Sequence, residues 1–174
     1  RISQQIERYL DLLYARNVEL NLTRVPNEEA MVRHIDDSLT LLEALDRVTG
    51  DVVDVGTGAG LPGMPLAIHR PDRKFLLADS SAKRVEFLKE VVSTLDLKNV
   101  ECVHARAEQL GRDIKTREQF GIAMARAVAP LEILAEMMLP LVKSGGLMLA
   151  MKAADIGEEI DQARSVIAEL CADH

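Results

Sequence analysis

A glycine-rich stretch that follows a run of valines constrains the fold of this chain more than any other feature. Val52, Val53 and Val55 form an apolar β-branched run, which is typical of a buried strand in a parallel sheet. Three glycines at alternate positions come next, and Pro62 then suits the first turn of a predicted helix that runs to His69. A strand, a glycine turn and a helix in this order predict a doubly wound sheet that binds a nucleotide-like ligand at its carboxyl edge.

The spacing of the glycines distinguishes between possible classes of nucleotide-like ligand. A dinucleotide fingerprint needs a third glycine at the position of Leu61. The chain instead has a G-x-G-x-G pattern, formed by Gly56, Gly58 and Gly60, with Asp54 two residues before it. This pattern resembles motif I of S-adenosylmethionine-dependent methyltransferases. A glycine-rich turn that binds no ligand is the alternative interpretation.

Residues after the next two predicted strands are suited to bind the ribose and the adenine of such a ligand. Asp79 ends the predicted strand 75–79, about twenty residues beyond the turn, where an acid binds the ribose in this architecture. Its carboxylate can accept hydrogen bonds from both ribose hydroxyls. Ala107 and Glu108 follow the predicted strand 99–104, so we expect them to reach the adenine.

The remaining periodicity predicts an α/β fold, a Rossmann-like class I methyltransferase with a mostly parallel sheet and helices on both faces. Two extra N-terminal helices are predicted over 2–16 and about 27–45. We assign 1–174 to a single domain, with 1–47 as a helical cap and 51–174 as the cofactor-binding core. Later predicted elements are strands at 120–125 and 147–151, helices at 132–142 and 155–170, and a turn at 143–146.

Composition excludes several classes of protein. No run approaches the roughly eighteen apolar residues of a membrane span, and no signal peptide opens the chain, so we expect a cytoplasmic protein without membrane association. The two cysteines, Cys102 and Cys171, are far apart and lack a C-x-x-C pattern. We therefore predict neither a disulfide scaffold nor a metal site.

Charge is distributed unevenly along the chain. The net charge of −7 disfavours RNA as a partner, yet residues 80–130 carry 9 basic against 7 acidic groups. Several cations are expected at or near the carboxyl edge of the sheet: Lys83, Arg84, Arg106, Arg126 and Lys152. A solvated surface of mixed charge is the alternative interpretation.

The residues near the predicted site favour some methyl acceptors over others. A carbon acceptor commonly needs a cysteine in the cleft, but Cys102 lies mid-strand and Cys171 in the last helix. An exocyclic amino acceptor usually needs an Asn/Asp-Pro-Pro-aromatic tetrad, and positions 125–128 read Ala-Arg-Ala-Val. A ring nitrogen such as guanine N7 needs neither device and no general base, so it is compatible with this chain.

Longer matches make the resemblance specific. The chain is similar to the glucose-inhibited division protein B family, the bacterial small-subunit ribosomal RNA (guanine-N7) methyltransferases. The segments that carry the resemblance are 54–68, 77–80, 83–88, Asn21-Leu22-Thr23, 33–39 and Ala125-Arg126-Ala127. The resemblance implies S-adenosyl-L-methionine as methyl donor, S-adenosyl-L-homocysteine as product and 16S ribosomal RNA as substrate.

The resemblance also implies roles for individual residues. Cofactor contacts are implied for Gly56, Leu61, Ala107, Glu108 and Arg126, and a cationic cleft for Lys83, Arg106, Arg126 and Lys152. His34 is by itself a surface or hydrogen-bonded helical histidine, but with Arg33 it becomes a cleft residue. We thus predict Arg126 and His34 as catalytic residues, and Arg33, Lys83, Arg84, Arg106 and Lys152 as RNA contacts.

Three features depart from the family pattern. The chain has Lys152-Ala153 where Lys-Gly is usual, and Arg16-Asn17 where tryptophan precedes the asparagine. The family also continues with two further strands and a basic tail, whereas this chain stops at His174, so we expect that edge of the sheet to be absent.

Two other functions stay open at this stage. One is a methyltransferase for a small molecule or a protein, and the other is a cofactor-binding regulator without catalysis. We expect a monomer. The sequence leaves open which guanine is modified, and whether free RNA or a small-subunit particle is the substrate.

Overall fold

The computed structural model describes residues 1–126, 129–152 and 157–172, without the side chains of Cys171 and Ala172. Ala127, Ala153 and the predicted helix start at Asp155 lie outside the described residues. The helices are α1 Ile2–Leu20, α2 Asp37–Leu39, α3 Leu42–Arg47, α4 Gly63–His69, α5 Ala82–Thr94, α6 Ala107–Arg112, α7 Leu131–Met138 and α8 Gly157–Ala172. The strands are β1 Val52–Val55, β2 Phe75–Asp79, β3 Val100–His104, β4 Phe120–Arg126 and β5 Val142–Met151.

The five strands form one parallel sheet in the order β3-β2-β1-β4-β5. This confirms the predicted doubly wound sheet. The strand order reverses between β1 and β4, and the crevice where a ligand binds in such sheets opens at the carboxyl ends of these two strands.

Helices cover both faces of the sheet, as predicted, because the buried strands are apolar on both sides. Val52 and Phe75 face a core formed with α1, α4 and α5. Val53 and Ala78 face a second core formed with α6 and α7. None of the helices in the described parts of the chain combines the length and the apolarity of a bilayer span.

The predicted continuous helix over 27–45 is wrong. The chain there forms a 3₁₀ turn, a π-helical segment and the short helices α2 and α3. Hydroxyl groups compete for helix carbonyls at the break: Ser38 Oγ donates to the His34 carbonyl, and Thr40 Oγ1 donates to the Asp37 carbonyl at 2.6 Å. Such back-bonding bends helices, and π-helical turns often occur at functional sites.

Helix α1 continues to Leu20, beyond the predicted end at position 16. Asn17 does not break α1, because its backbone remains helical while its side chain binds Thr23 in the loop after the helix. The Asn17 amide donates to the Thr23 carbonyl at 2.9 Å and accepts from the Thr23 N–H at 2.8 Å. Asn21, with φ of 49°, adopts the left-handed conformation that ends the helix.

The predicted turn at 143–146 is also wrong, since strand β5 already begins at Val142. Val142 pairs with Phe120, and the register then shifts before the next pair, Ile122 with Leu147. Gly145, with φ of 77°, lies inside this irregular stretch. The extra length pairs β5 with the start of β4, while Arg126 at the end of β4 pairs with Met151.

Candidate cofactor and substrate site

The glycine turn after β1 is open on one side and packed on the other. Gly56, Gly58 and Gly60 have φ values of 64°, 60° and 99°, a region that L side chains rarely adopt. Among the described residues, a Cβ on Gly58 would have only the Gly56 carbonyl oxygen within 4.0 Å. A Cβ on Gly60 would instead lie 2.9 Å from Leu88 Cδ2. The backbone at Gly58 is therefore open to the approach of a ligand.

Asp79 ties this turn to the end of β2. Its Oδ2 accepts the Gly58 N–H at 2.8 Å, and its Oδ1 accepts the Ser81 N–H at 2.9 Å. The residue is 3% exposed. Each carboxylate oxygen keeps a lone pair beyond these bonds, so the carboxylate can still accept hydrogen bonds from the two hydroxyls of a ribose.

Asp54 holds the turn from inside the fold. Its Oδ2 accepts the Thr57 hydroxyl at 2.6 Å and the Gly63 N–H at 2.8 Å, while its buried Oδ1 has no hydrogen-bond partner among the described residues. Burial raises the pKa of Asp54 to about 7, against the opposing effect of the two hydrogen bonds. Asp54 thus fixes the turn against α4, and its contact with a cofactor stays a prediction. Thr57 was not among the predicted site residues, because its position inside the glycine motif does not report its bond to Asp54.

The start of α6 lies beside the acid of β2. The Ala105 N–H donates to the Asp79 carbonyl at 3.1 Å, which brings the first helical residues, Ala107 and Glu108, next to the predicted ribose site. Ala107 is buried, like Leu61 in the glycine turn, and Glu108 is exposed. Their predicted cofactor contacts are compatible with these positions and stay predictions.

Arg126 ends β4 at the point where the strand order reverses, and it reaches the N-terminal helices. Its Nη1 lies 3.5 Å from the Arg33 carbonyl oxygen and 3.7 Å from Asp37 Oδ2. The side chain is 23% exposed. The structure therefore brings the end of the sheet and the segment around Arg33 together, although Arg33 directs its own guanidinium to Glu29, at 2.9 Å.

His34 is buried beside this contact. It is 2% exposed, its Nε2 lies 2.8 Å from Thr23 Oγ1, and its buried Nδ1 has no partner among the described residues. Burial and the Arg126 guanidinium lower the pKa of His34 below its usual value. The imidazole is accordingly neutral at physiological pH, and the catalytic role of His34 stays a prediction.

Besides Arg33, which pairs with Glu29, two of the predicted RNA-binding cations have partners within the protein. Lys152 Nζ donates to the Ala129 carbonyl at 2.7 Å and pairs with Glu159 at 2.9 Å, and its side chain is only 12% exposed. Arg84 Nη1 lies 3.8 Å from Asp79 Oδ2, which places Arg84 at the predicted ribose acid.

Lys83 and Arg106 differ from these two. Both are exposed, and neither takes part in an ion pair among the described residues. Lys83 lies in the first turn of α5 and Arg106 directly precedes α6. They are the predicted RNA contacts that keep a cationic group available to a phosphate.

Sequence reasoning missed a tyrosine that touches the glycine turn. Tyr9 packs on the apolar face of α1, and its hydroxyl also donates to the Ala59 carbonyl at 2.9 Å. Apolar periodicity carries no information on the hydrogen-bond partner of a tyrosine hydroxyl.

A parallel sheet in this strand order, with a glycine turn and an acid facing each other at the switch point, defines a Rossmann-like methyltransferase of the S-adenosylmethionine-dependent class. The family model of rRNA small subunit methyltransferase G (GidB) matches residues 2–172. The chain belongs to this family.

Individual relatives agree with the family match. The chain is 44% identical over 171 residues to ribosomal RNA small subunit methyltransferase G of Leuconostoc citreum, covering 96% of this chain and 72% of that protein. It is 45% identical over 169 residues to the protein of the same name from Alkaliphilus metalliredigens, covering 96% and 71%.

Solved structures share the fold at low identity. A putative O-methyltransferase from Klebsiella pneumoniae has a TM-score of 0.58 at 16% identity, over 95% of this chain and 78% of that one. A putative caffeoyl-CoA O-methyltransferase from Staphylococcus aureus has a TM-score of 0.59 at 13% identity, over 92% and 81%. These likenesses concern the fold alone.

Proposed function

We propose that this chain transfers a methyl group from S-adenosyl-L-methionine to N7 of a guanine in bacterial 16S ribosomal RNA, with S-adenosyl-L-homocysteine as product. Binding of the methyl donor is supported chiefly by the hydrogen bond from the Gly58 N–H to Asp79 Oδ2, beside the open space at Gly58. The donor, when bound, supplies a methyl group on a sulfonium sulfur. The identity of the methyl acceptor is supported by the family match.

The residues of the cleft suit an acceptor that has no proton to lose. Guanine N7 carries a free lone pair, so transfer needs alignment of donor and acceptor more than it needs a base. In this proposal Arg126 would donate hydrogen bonds to the guanine O6 or to a phosphate, which would leave N7 free. The neutral His34 would hold the neighbouring segment in place.

One observation favours a second candidate, a methyltransferase for a small molecule or a protein. The net charge is −7, and Arg84, Arg126 and Lys152 each lie within 4.0 Å of a carboxylate. These pairs reduce the positive field that attracts RNA. An RNA substrate would have to displace some of them or bind mainly at Lys83 and Arg106.

Methyl-labelled donor separates the two candidates. The full-length protein is incubated with donor and either small ribosomal subunits or purified 16S RNA, both from cells that lack this modification. We expect label on N7 of a single guanine, and the better of the two substrates identifies the natural one. Absence of label from RNA, with label in a small-molecule or protein fraction of the cell extract, would favour the second candidate. An RNA substrate also implies a cytoplasmic location.

A further inference from the structure

We infer that Tyr9 is a positioning residue of the cofactor site, so that helix α1, part of the predicted helical cap, also helps to hold the glycine turn. The inference rests on the proposed function for the identity of the cofactor.

The contact itself is buried and specific. Tyr9 is 0% exposed and its hydroxyl donates to the Ala59 carbonyl at 2.9 Å. Ala59 lies between Gly58 and Gly60, so the bond holds the middle of the turn. A Cβ on Gly60 would lie 3.6 Å from the Tyr9 hydroxyl, which shows how closely the tyrosine follows the turn. Burial raises the pKa of Tyr9, so the hydroxyl remains a donor at physiological pH.

This bond complements the anchors that the sheet provides. Asp79 binds the Gly58 N–H, and Asp54 binds Thr57 and Gly63. Those anchors come from β2 and β1, whereas Tyr9 comes from α1. A glycine-rich turn is flexible, so ordering it when a ligand binds costs conformational entropy. Each hydrogen bond that orders the turn beforehand reduces this cost.

Helix α1 is rigid enough to act as such an anchor. Gln5 Nε2 donates to the Leu95 carbonyl at 3.2 Å, and Arg16 pairs with Glu90 at 2.8 Å. Both contacts fix α1 to α5 and its C-terminal end, so the helix has a defined position relative to the sheet. The Tyr9 hydroxyl is therefore held in place before the cofactor arrives.

The chain offers a matched control for this role. Tyr14 lies on the same helix, and its hydroxyl donates to the Val25 carbonyl at 2.8 Å, away from the glycine turn. If the Tyr9 bond were simply the satisfied hydroxyl of a core tyrosine, Tyr9→Phe and Tyr14→Phe would both leave cofactor affinity unchanged. A positioning role predicts that only Tyr9→Phe weakens cofactor binding.

The test measures the Kd for S-adenosylmethionine and for S-adenosylhomocysteine by calorimetry, and the Tm, on full-length Tyr9→Phe, Tyr14→Phe and Leu13→Ala. We expect Tyr9→Phe to raise both Kd values about fivefold, the effect of one ordinary hydrogen bond, while Tyr14→Phe leaves them unchanged. The KM for the donor should rise in proportion, with kcat at saturating donor unchanged.

Leu13→Ala separates affinity from stability. Leu13 is fully buried on the same helix, and its truncation costs more stability than the loss of a hydroxyl. Normal Kd values in Leu13→Ala show that lower stability alone does not weaken binding. Equal Kd values in Tyr9→Phe and Tyr14→Phe would overturn the inference. Failure of the unaltered protein to bind either ligand would instead overturn the proposed function.

Discussion

The Asp79 carboxylate accepts the backbone N–H of Gly58 at 2.8 Å, across 21 positions of the chain. This bond makes the end of β2 and the turn after β1 one structural unit. A ligand whose sugar binds the carboxylate is consequently held beside the open backbone of the turn, and the two halves of the predicted cofactor site act together.

Substitution of the acid should weaken donor binding. Asp79→Ala removes both the predicted acceptor for the ribose hydroxyls and the bond to Gly58, and we expect the Kd for S-adenosylmethionine to rise about 10- to 100-fold, as for a lost hydrogen bond to a charged group. Calorimetry checks this. Asp72→Ala, which removes an exposed carboxylate paired with Arg70, is the control and should bind normally; equal affinity of both variants contradicts the role of Asp79.

Gly58→Ala should affect binding more than stability. The substitution imposes strain at φ of 60°, about 1–2 kcal/mol in the free energy of unfolding, and puts a methyl group where the ligand approaches. Gly145→Ala is matched, because Gly145 has φ of 77° and no heavy atom within 4 Å of its Cβ position among the described residues. We expect similar loss of stability in urea titrations but weaker donor binding only in Gly58→Ala. Unchanged affinity there would mean that the ligand does not approach Gly58.

The buried Asp54 should make stability fall as the pH rises towards neutrality. Its pKa is raised from 3.8 unfolded to about 7 folded, so the folded protein binds the proton more tightly, and its contribution is largest at low pH and is lost through pH 7. Relative to Asp54→Asn, which does not titrate, we expect the unfolding free energy of the unaltered protein to fall by about 2–3 kcal/mol between pH 5 and 8. Denaturant titrations at the two pH values measure this, and a constant difference between the proteins would rule it out.

Loss of the arginine at the end of β4 should impair transfer more than donor binding. Arg126→Ala removes the guanidinium predicted to orient the acceptor, and we expect kcat to fall about 100-fold, as when one electrostatic stabiliser is deleted. Single-turnover methylation assays measure the rate, with Arg47→Ala as control, since Arg47 is exposed and pairs only locally with Glu43. Normal turnover in Arg126→Ala would remove its assigned role.

Much of the salt dependence of RNA binding should depend on Lys83 and Arg106. We expect Lys83→Ala and Arg106→Ala each to weaken affinity for 16S RNA and to reduce the slope of log K against log salt by about one. Lys115→Ala is the control, because Lys115 is also exposed but lies near the amino ends of β2 and β3. If all three variants show the same slope as the unaltered protein, RNA does not bind along this edge.

The parts of the fold that sequence reasoning predicted are those with strong periodic signals. Strand β2 matches its predicted range, and the parallel order follows from strands joined by helices. The errors lie where side-chain hydrogen bonds decide the local structure. The hydroxyls of Ser38 and Thr40 bend the second helical segment. The Asn17 side chain binds Thr23 while its backbone remains helical. The pattern of apolar residues carries no information on such hydrogen bonds.

The candidate site was predictable where the residue type itself carries the chemistry. The glycines and Asp79 meet as their spacing implied. The pairing of Lys152 with Glu159 was not predictable, because a cation at the end of a strand looks the same whether it faces solvent or a later helix. The contact of Arg126 with the segment around Arg33 also depends on how the first helices fold over the sheet, which the sequence does not state.

That last contact has a consequence for biosynthesis. Arg126 and Arg33 are 93 positions apart, so a nascent chain that has exposed only its first helices and the glycine turn has an incomplete cleft. This contact forms only after β4 has left the ribosome and inserted next to β1. We therefore expect translation products that end before β4 to lack methyltransferase activity.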